Sequence, residues 1–427
     1  MNRLTKQFFI PNLASLKPSL VNFFITLIVL GIPLNLYKNR FYDNSWTIGE
    51  WLISYAGGFV RRGLPGQIIH FVSSTFRVSP ILLVWFFSIA ALLSLIAVLF
   101  YFCKDLFEKS FLLSQLIILA PIAEDYFVRK DSLIVLLYGL SLIAIKLFYK
   151  KKLFKSSCIL FVNFFSIIAI LSHESYGIWG LPSLIFIFYL IQRSKNKNFV
   201  SSILQALLNL LPSLLCFLLC WIFKGDINQA LRIHESWQLL REILPSLGAL
   251  DDLQPKGAIA AIGFESSRVY SFSLLTQVNL FIFWHPGMWL LTIFLVMKFF
   301  IGPDKNNFQD AKRFVLCYQF IAFTPMFLFV DIGRWIFMWL TSSALLFAFL
   351  ENIFGVDRII SISSNFKGSK ILLKAIPGFH SIKTYNNFLM LFGLPHCCWS
   401  IGRYLVSNPV GFTIKTLIFY FQKLFFS

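Results

Sequence analysis

The chain has 427 residues, of which 57% are hydrophobic and only 13% charged, with a mean hydropathy of +0.73. A soluble core of this size cannot hide so much apolar surface, so the composition excludes a soluble globular protein and predicts a polytopic membrane protein. The formal net charge of +19 is spread over short loops between apolar stretches, which argues against a nucleic-acid partner and makes the basic residues topology signals beside a lipid bilayer.

Runs such as 81–102 are apolar on every face, whereas membrane strands alternate polar and apolar positions over about ten residues. The predicted class is therefore all-α, a polytopic transmembrane bundle of about 10–12 spans forming one integral membrane domain over 1–427. In chain order, residues 20–37 predict an uncleaved first span with a cytoplasmic N-terminus. Further spans are predicted near 80–102, 111–123, 132–148, 157–172, 176–192 and 201–223. After a polar outer insert over 224–271, which we expect to cap a cavity, come spans near 287–301, 314–330, 335–350 and 386–400. The last apolar stretch, 410–426, carries Lys415, Gln422 and Lys423 on one side at helical spacing and suits the membrane surface. With this threading, 22 basic and six acidic residues fall inside, against 14 basic and 13 acidic outside, the bias of the positive-inside rule. The seven cysteines have no CxxC or Cys/His ligand spacing and are read as packing residues.

The outer segments carry the candidate chemistry. In the first outer loop, 38–80, Asp43 and Glu50 are followed by a stretch in which Trp46, Trp51 and Tyr55 predict a helix at the membrane interface. Gly57, Gly58, Gly63 and Gly66 bracket Arg61 and Arg62, whose planar donor forks suit phosphate; the alternative is snorkelling to lipid headgroups. The next outer turn holds Glu124, Asp125, Arg129, Lys130 and Asp131, expected to pair with one another. His173 and Glu174 form a tight turn that lacks the second histidine of an HExxH zinc site. Asp331 and Arg334, three apart on a helix, are expected to pair with each other. A helix bundle brings such turns together, so these patches are predicted to line one site.

Carboxylates beside arginines suit a reaction in which a hydroxyl is deprotonated while a phosphate departs. The layout resembles the GT-C superfamily of integral membrane glycosyltransferases, which use polyisoprenyl-phosphate-linked sugars. The resemblance covers roughly 20–192 and rests on Asp43 after the first span, the interfacial helix, EDYFVRKD, and SHESYGIWGLPSLIF. The strings GGFVRRGLPG, RKD, HES and DIGRW also resemble a group of uncharacterised bacterial membrane proteins associated with surface-polysaccharide synthesis. The resemblance implies a bacterial inner-membrane enzyme with its site facing outside. It makes Asp43 the first candidate base and Glu50 the second. Glu124, Asp125 and Asp131 would position the acceptor or a divalent cation. Arg61, Arg62, Arg129 and Arg334 would neutralise the donor phosphate, and His173 with Glu174 would contact sugar or phosphate. No cofactor is required, and a divalent metal is left open. The alternatives are a lipid-linked oligosaccharide polymerase and a transporter.

Overall fold

The computed structural model describes residues 45–123, 126–195, 198–240, 253–264, 284–329, 331–364, 376–397 and 399–426. They contain no strand. The helices are α1 (Thr47–Trp51), α2 (Gly63–Phe76), α3 (Pro80–Cys103), α4 (Lys109–Leu112), α5 (Leu119–Ala123), α6 (Asp131–Tyr149), α7 (Lys155–Ser172), α8 (Ser175–Arg193), α9 (Phe199–Asn209) and α10 (Leu211–Ile222). Then follow α11 (Ile227–Gln238), α12 (Gly257–Ala260), α13 (Trp284–Ile301), α14 (Asn306–Phe323), α15 (Ile332–Phe354), α16 (Val356–Ser364), α17 (Ile382–Leu391), α18 (Ile401–Ser407) and α19 (Pro409–Phe426).

Five of these, α3, α6, α7, α8 and α15, are long and apolar enough to cross a membrane, and α9 with α10 makes a sixth if that pair, bent by 65°, is one span. The chain is an all-α integral membrane protein. The expected first span, 20–37, lies outside the described residues. At the centre is α15, buried from Ile332 to Leu350; a helix apolar all round has no face to offer water and forms a core. It packs against α3, α6, α13, α14 and α16. By contrast α3 buries only one side and leaves Leu82, Phe86 and Leu93 exposed, as a lipid-facing helix does. The bend between α9 and α10 is built around Asn163. Its side-chain amide donates to Asn209 O at 2.8 Å, and its oxygen accepts from Ser213 N at 3.2 Å and Ser213 Oγ at 2.7 Å, so the backbone freed at the break is satisfied by protein.

Three expectations need correction. The segment 111–123 is not a continuous helix but α4, a run of turns and α5. Phe111, Leu112 and Leu116 to Ala123 are buried throughout, and irregular backbone at membrane depth is tolerated where protein surrounds it. Likewise the segment 386–400 holds only the end of α17, after which Gly393 and Pro395 stand in irregular chain. Finally, Trp51 does not lie on an exposed surface: it is buried and its indole N–H donates to Val128 O. The exposed large apolar residues of this region are Trp46, Phe59 and, on α2, Ile68, Phe71 and Phe76. The helix α19 forms as expected, with Ile414, Leu417, Ile418 and Phe421 exposed.

Part of the 224–271 insert is described. Asp226 caps α11 through a reciprocal capping box with Gln229, which satisfies two amides otherwise orphaned at a helix start. The insert packs on the 45–61 segment: Trp237 Nε1 donates to Leu52 O at 2.9 Å and Ala258 N to Ser45 O at 3.1 Å, while Arg61 N donates at 3.1 Å to Phe223 O, at the end of α10 just before the insert.

Candidate functional site

Three of the membrane helices begin at a carboxylate. Asp131 is the first residue of α6, Glu174 immediately precedes α8, and Asp331 immediately precedes α15. A negative charge is favoured there because unpaired amides give a helix start a partial positive charge. None of the three caps its own helix through a side-chain hydrogen bond. The oxygens of Asp131 and Glu174 are taken by guanidinium groups from elsewhere in the chain, and Asp331 lies between Arg334 of its own helix and Arg129.

The deepest pair joins α6 to α15. Arg334 Nε and Nη2 donate to the two oxygens of Asp131 at 2.7 and 2.6 Å, and Nη1 donates to Asp331 Oδ2 at 3.1 Å. The expected Arg334–Asp331 pair therefore exists, but the bidentate partner lies 203 residues away. A second fork joins the first loop to α8: Arg62 Nε and Nη2 donate to Glu174 Oε2 and Oε1 at 2.7 and 2.6 Å, and Arg61 Nη1 donates to Oε1 at 3.1 Å. Among the described residues of the second outer turn, Arg129, Lys130 and Asp131 do not pair with one another. Arg129 approaches Asp331 at 3.5 Å and Glu50 at 3.9 Å. Lys130 donates at 3.1 Å to the backbone carbonyls of Arg62 and Ser172, tying the first loop to the end of α7.

Glu50 sits in the middle. Its side chain is only 3% exposed, with Arg62, Arg129 and Arg334 each at 3.9 Å. His173 Nε2 lies 3.3 Å from Oε1. The Ser175 backbone amide donates to His173 Nδ1 at 3.2 Å, so in the neutral ring that nitrogen is the acceptor and the hydrogen resides on Nε2, facing Glu50. Glu50 Oε2 and Arg129 Nε are buried without a hydrogen-bond partner among the described residues, which is uncommon for ionised groups. The least buried members of the cluster are Arg61 and Arg62, at 28% and 27%, and Asp331 at 20%.

Burial opposes ionisation of Glu50, but the His173 hydrogen bond and the charges of Arg334 and Arg129 outweigh it and hold the carboxyl well below the usual carboxylate range. Glu174 is likewise held low, against burial, by Arg62 and Arg61. Burial and then Arg62 push His173 below its ordinary value, consistent with a neutral ring. For Asp331, burial is overcome by Arg129, His396 and Arg334, which bring it down to about 2. Burial pulls Lys130 down to about 7 in spite of Glu50.

The backbone holds these groups under local constraint. Arg62 and Asp331 have left-handed φ of 67° and 72°, conformations that side chains rarely adopt and that cluster at ligand sites. Two glycines allow close approaches that set the frame. A Cβ on Gly66 would lie 1.9 Å from Ile53 O, and one on Gly333 would lie 1.9 Å from Pro395 O. The second contact lets Gly333 N donate to His396 O at 2.9 Å. It brings His396 against Tyr126, ring centroids 4.5 Å apart, and 3.9 Å from Asp331.

Glu50, Arg61, Arg62, Arg129, Asp131, His173, Glu174, Asp331 and Arg334 thus converge as one cluster. Asp43, Glu124 and Asp125 lie outside the described residues. Lys130 joins the cluster from within a motif already noticed, whereas His396 gave no signal beyond being a lone polar residue beside a proline in an apolar stretch. Among the described residues no three His, Cys, Asp or Glu side chains are grouped so as to hold a metal ion.

The family model described as Uncharacterised membrane protein Rv1490 matches residues 20–237, half of the chain. The chain belongs to that family. No curated protein and no solved structure matches it. The Rv1490 region contributes Glu50, the arginine pair, the second turn and the His173–Glu174 turn to the cluster. The groups on and after Asp331 reach the cluster from outside the matched region.

Proposed function

We propose that this chain is a GT-C-like glycosyltransferase that moves a sugar from a polyisoprenyl-phosphate carrier to an acceptor hydroxyl at the outer face of a bacterial inner membrane, in surface polysaccharide or glycoconjugate synthesis. The observation that carries the reading is the convergence on buried Glu50 of three guanidinium groups and a neutral histidine, at the meeting of three helix starts. Helix starts and arginines favour an anion, and the carboxylate oxygen without a partner is a base aimed into the same space.

The two features explain each other chemically. In the free protein the arginines keep Glu50 ionised and only weakly basic. A donor phosphate entering past Arg61 and Arg62 also draws Arg129 to itself, and Glu50 becomes more basic as the charge of that cation, one of those that hold it low, is shared. Glu50 then accepts the acceptor hydroxyl proton as the C–O bond to the sugar forms and the bond to the carrier phosphate breaks. The phosphate leaves with the electron pair, held by Arg62 and Arg129. Asp43 is the other candidate base.

The polymerase alternative uses the same chemistry with a longer donor. The bent α9–α10 pair favours transport, since transporters place substrates at broken helices. That break, however, is closed by Asn163 and carries no ion cluster. The reading is tested by reconstituting the protein in vesicles with labelled polyprenyl-phosphate sugars and lipid-linked oligosaccharides. Transfer to polysaccharide acceptor by wild type, lost in Arg62→Ala at equal insertion, supports it. Vesicle uptake or efflux of substrate with no new glycosidic bond moves the reading to transport.

A further inference from the structure

The two helices that begin at the ion cluster end at a second, separate feature. From Glu174 the helix α8 runs 19 residues to Arg193, roughly 28 Å at 1.5 Å per residue, and α15 runs from Asp331 to Phe354. At their far ends lies a cavity of about 230 Å³ lined by Tyr189, Leu190, Arg193, Ser194, Phe354, Arg358, Ser361 and Ile362. Its third wall is α16, set across the helix ends by Gly355 at a left-handed φ of 75° and packed on α14 and α15.

The lining is divided by chemistry. Leu190, Phe354 and Ile362 make an apolar side, while Arg193, Arg358, Ser194 and Ser361 supply donors and hydroxyls. Arg193 stands in the last turn of α8, where a cation is favoured by the helix end in any case. The helix-end account does not extend to Arg358, which is exposed. It lies in the first turn of α16, the end at which a cation is disfavoured, and its side chain has no carboxylate or hydrogen-bond partner among the described residues. The acidic residues nearest in sequence, Glu351 and Asp357, do not line the cavity. Two planar forks, hydroxyls and an adjoining apolar wall make a recognition set for a phosphate that carries an alkyl chain.

We propose that this cavity binds the phosphate of an anionic membrane lipid, at the face opposite the ion cluster, with Arg193 and Arg358 holding the phosphate oxygens and the acyl chains leaving along Leu190 and Ile362. The site is independent of the transferase reading. The test is native mass spectrometry of the purified full chain titrated with phosphatidylglycerol, with phosphatidylcholine, and with phosphatidylglycerol in millimolar inorganic phosphate.

The most tightly held phosphatidylglycerol should bind about thirtyfold more weakly to the Arg193→Ala/Arg358→Ala variant, since a basic residue near an anionic surface contributes roughly fivefold. Lys150→Ala/Lys151→Ala, which removes the same charge elsewhere on the exposed surface, should leave that affinity unchanged. Arg193→Lys/Arg358→Lys keeps the charge without the fork and should lose less than the alanine pair, which provides a reading if the alanine pair is poorly folded. Equal losses from the arginine and lysine pairs, or phosphatidylcholine held as tightly as phosphatidylglycerol, would overturn the proposal. Displacement of the lipid by inorganic phosphate would overturn the lipid as source and assign the cavity to a soluble phosphoryl compound.

Discussion

The two ends of α8 and α15 handle charge in opposite ways. At one end Glu50, Lys130, Asp131, His173, Glu174 and Arg334 are buried, and nearly every charged atom meets a partner from a distant segment. At the other end Lys150, Lys151, Lys152, Lys195 and Arg358 are exposed. Charges removed from water must be matched by protein or they are expelled, whereas charges left in water need no match and act through the field they make at the lipid surface. Position in the fold, more than residue type, decides what each charge contributes.

If that contrast is right, the largest effect comes from breaking the deepest pair. Arg334→Ala leaves Asp131 charged and buried among fewer cations, and should lower stability by about 3–5 kcal/mol. Thermal unfolding in detergent checks this, and an unchanged midpoint would mean that water reaches the pair. Gly333→Ala should cost less, about 1–3 kcal/mol, through the overpacking of Cβ against Pro395 O. It should also loosen His396, visible in hydrogen exchange as loss of protection of the backbone amide at position 333, which donates to His396 O.

Acid should act on the buried end alone, and the sign follows from the direction of each shift. Asp331 has a folded pKa of about 2 against an ordinary 3.8, so its contribution is complete above 3.8 and is lost as pH falls towards 2. Burial first of all, only partly opposed by Asp331, takes His396 from 6.5 to about 3. Between those values the unfolded chain binds the proton and the folded chain does not, so stability also falls as pH drops below 6.5. His396→Phe keeps the ring stacked on Tyr126 and should flatten the fall in melting temperature between pH 6.5 and 4.5. An identical slope would place His396 in contact with solvent. The smallest effect belongs to the exposed end: Lys150→Ala and Lys151→Ala should each move stability by less than about 0.5 kcal/mol.

Much of this was legible from local pattern. Uniformly apolar runs marked α3, α6, α7, α8 and α15, and charged residues at their starts marked the patches that converge. The partners were not legible, because a local string does not say which distant turn lies beside it. Arg129, Lys130 and Asp131 read as members of a self-neutralising turn, yet Asp131 goes to Arg334, Arg129 to Asp331 and Glu50, and Lys130 to two carbonyls. Trp51 reads as an interfacial aromatic because ring amphipathicity is the same whether the indole meets a headgroup or Val128 O. His396 was missed because 386–400 has a span's hydrophobicity but Gly393 and Pro395 break the helix, and irregular buried chain has no periodicity to read. The same holds for 111–123.

The most direct test is the rate of sugar transfer from a labelled polyprenyl-phosphate donor by reconstituted wild type and Glu50→Gln, compared at equal amounts of folded, inserted protein. Gln keeps the shape of Glu50 and removes its proton-accepting charge, so a Glu50-centred site predicts a fall of roughly 10²–10⁴-fold, the usual contribution of a positioned base. A variant that transfers sugar as fast as wild type would leave Glu50 a structural counter-ion and return the base to Asp43.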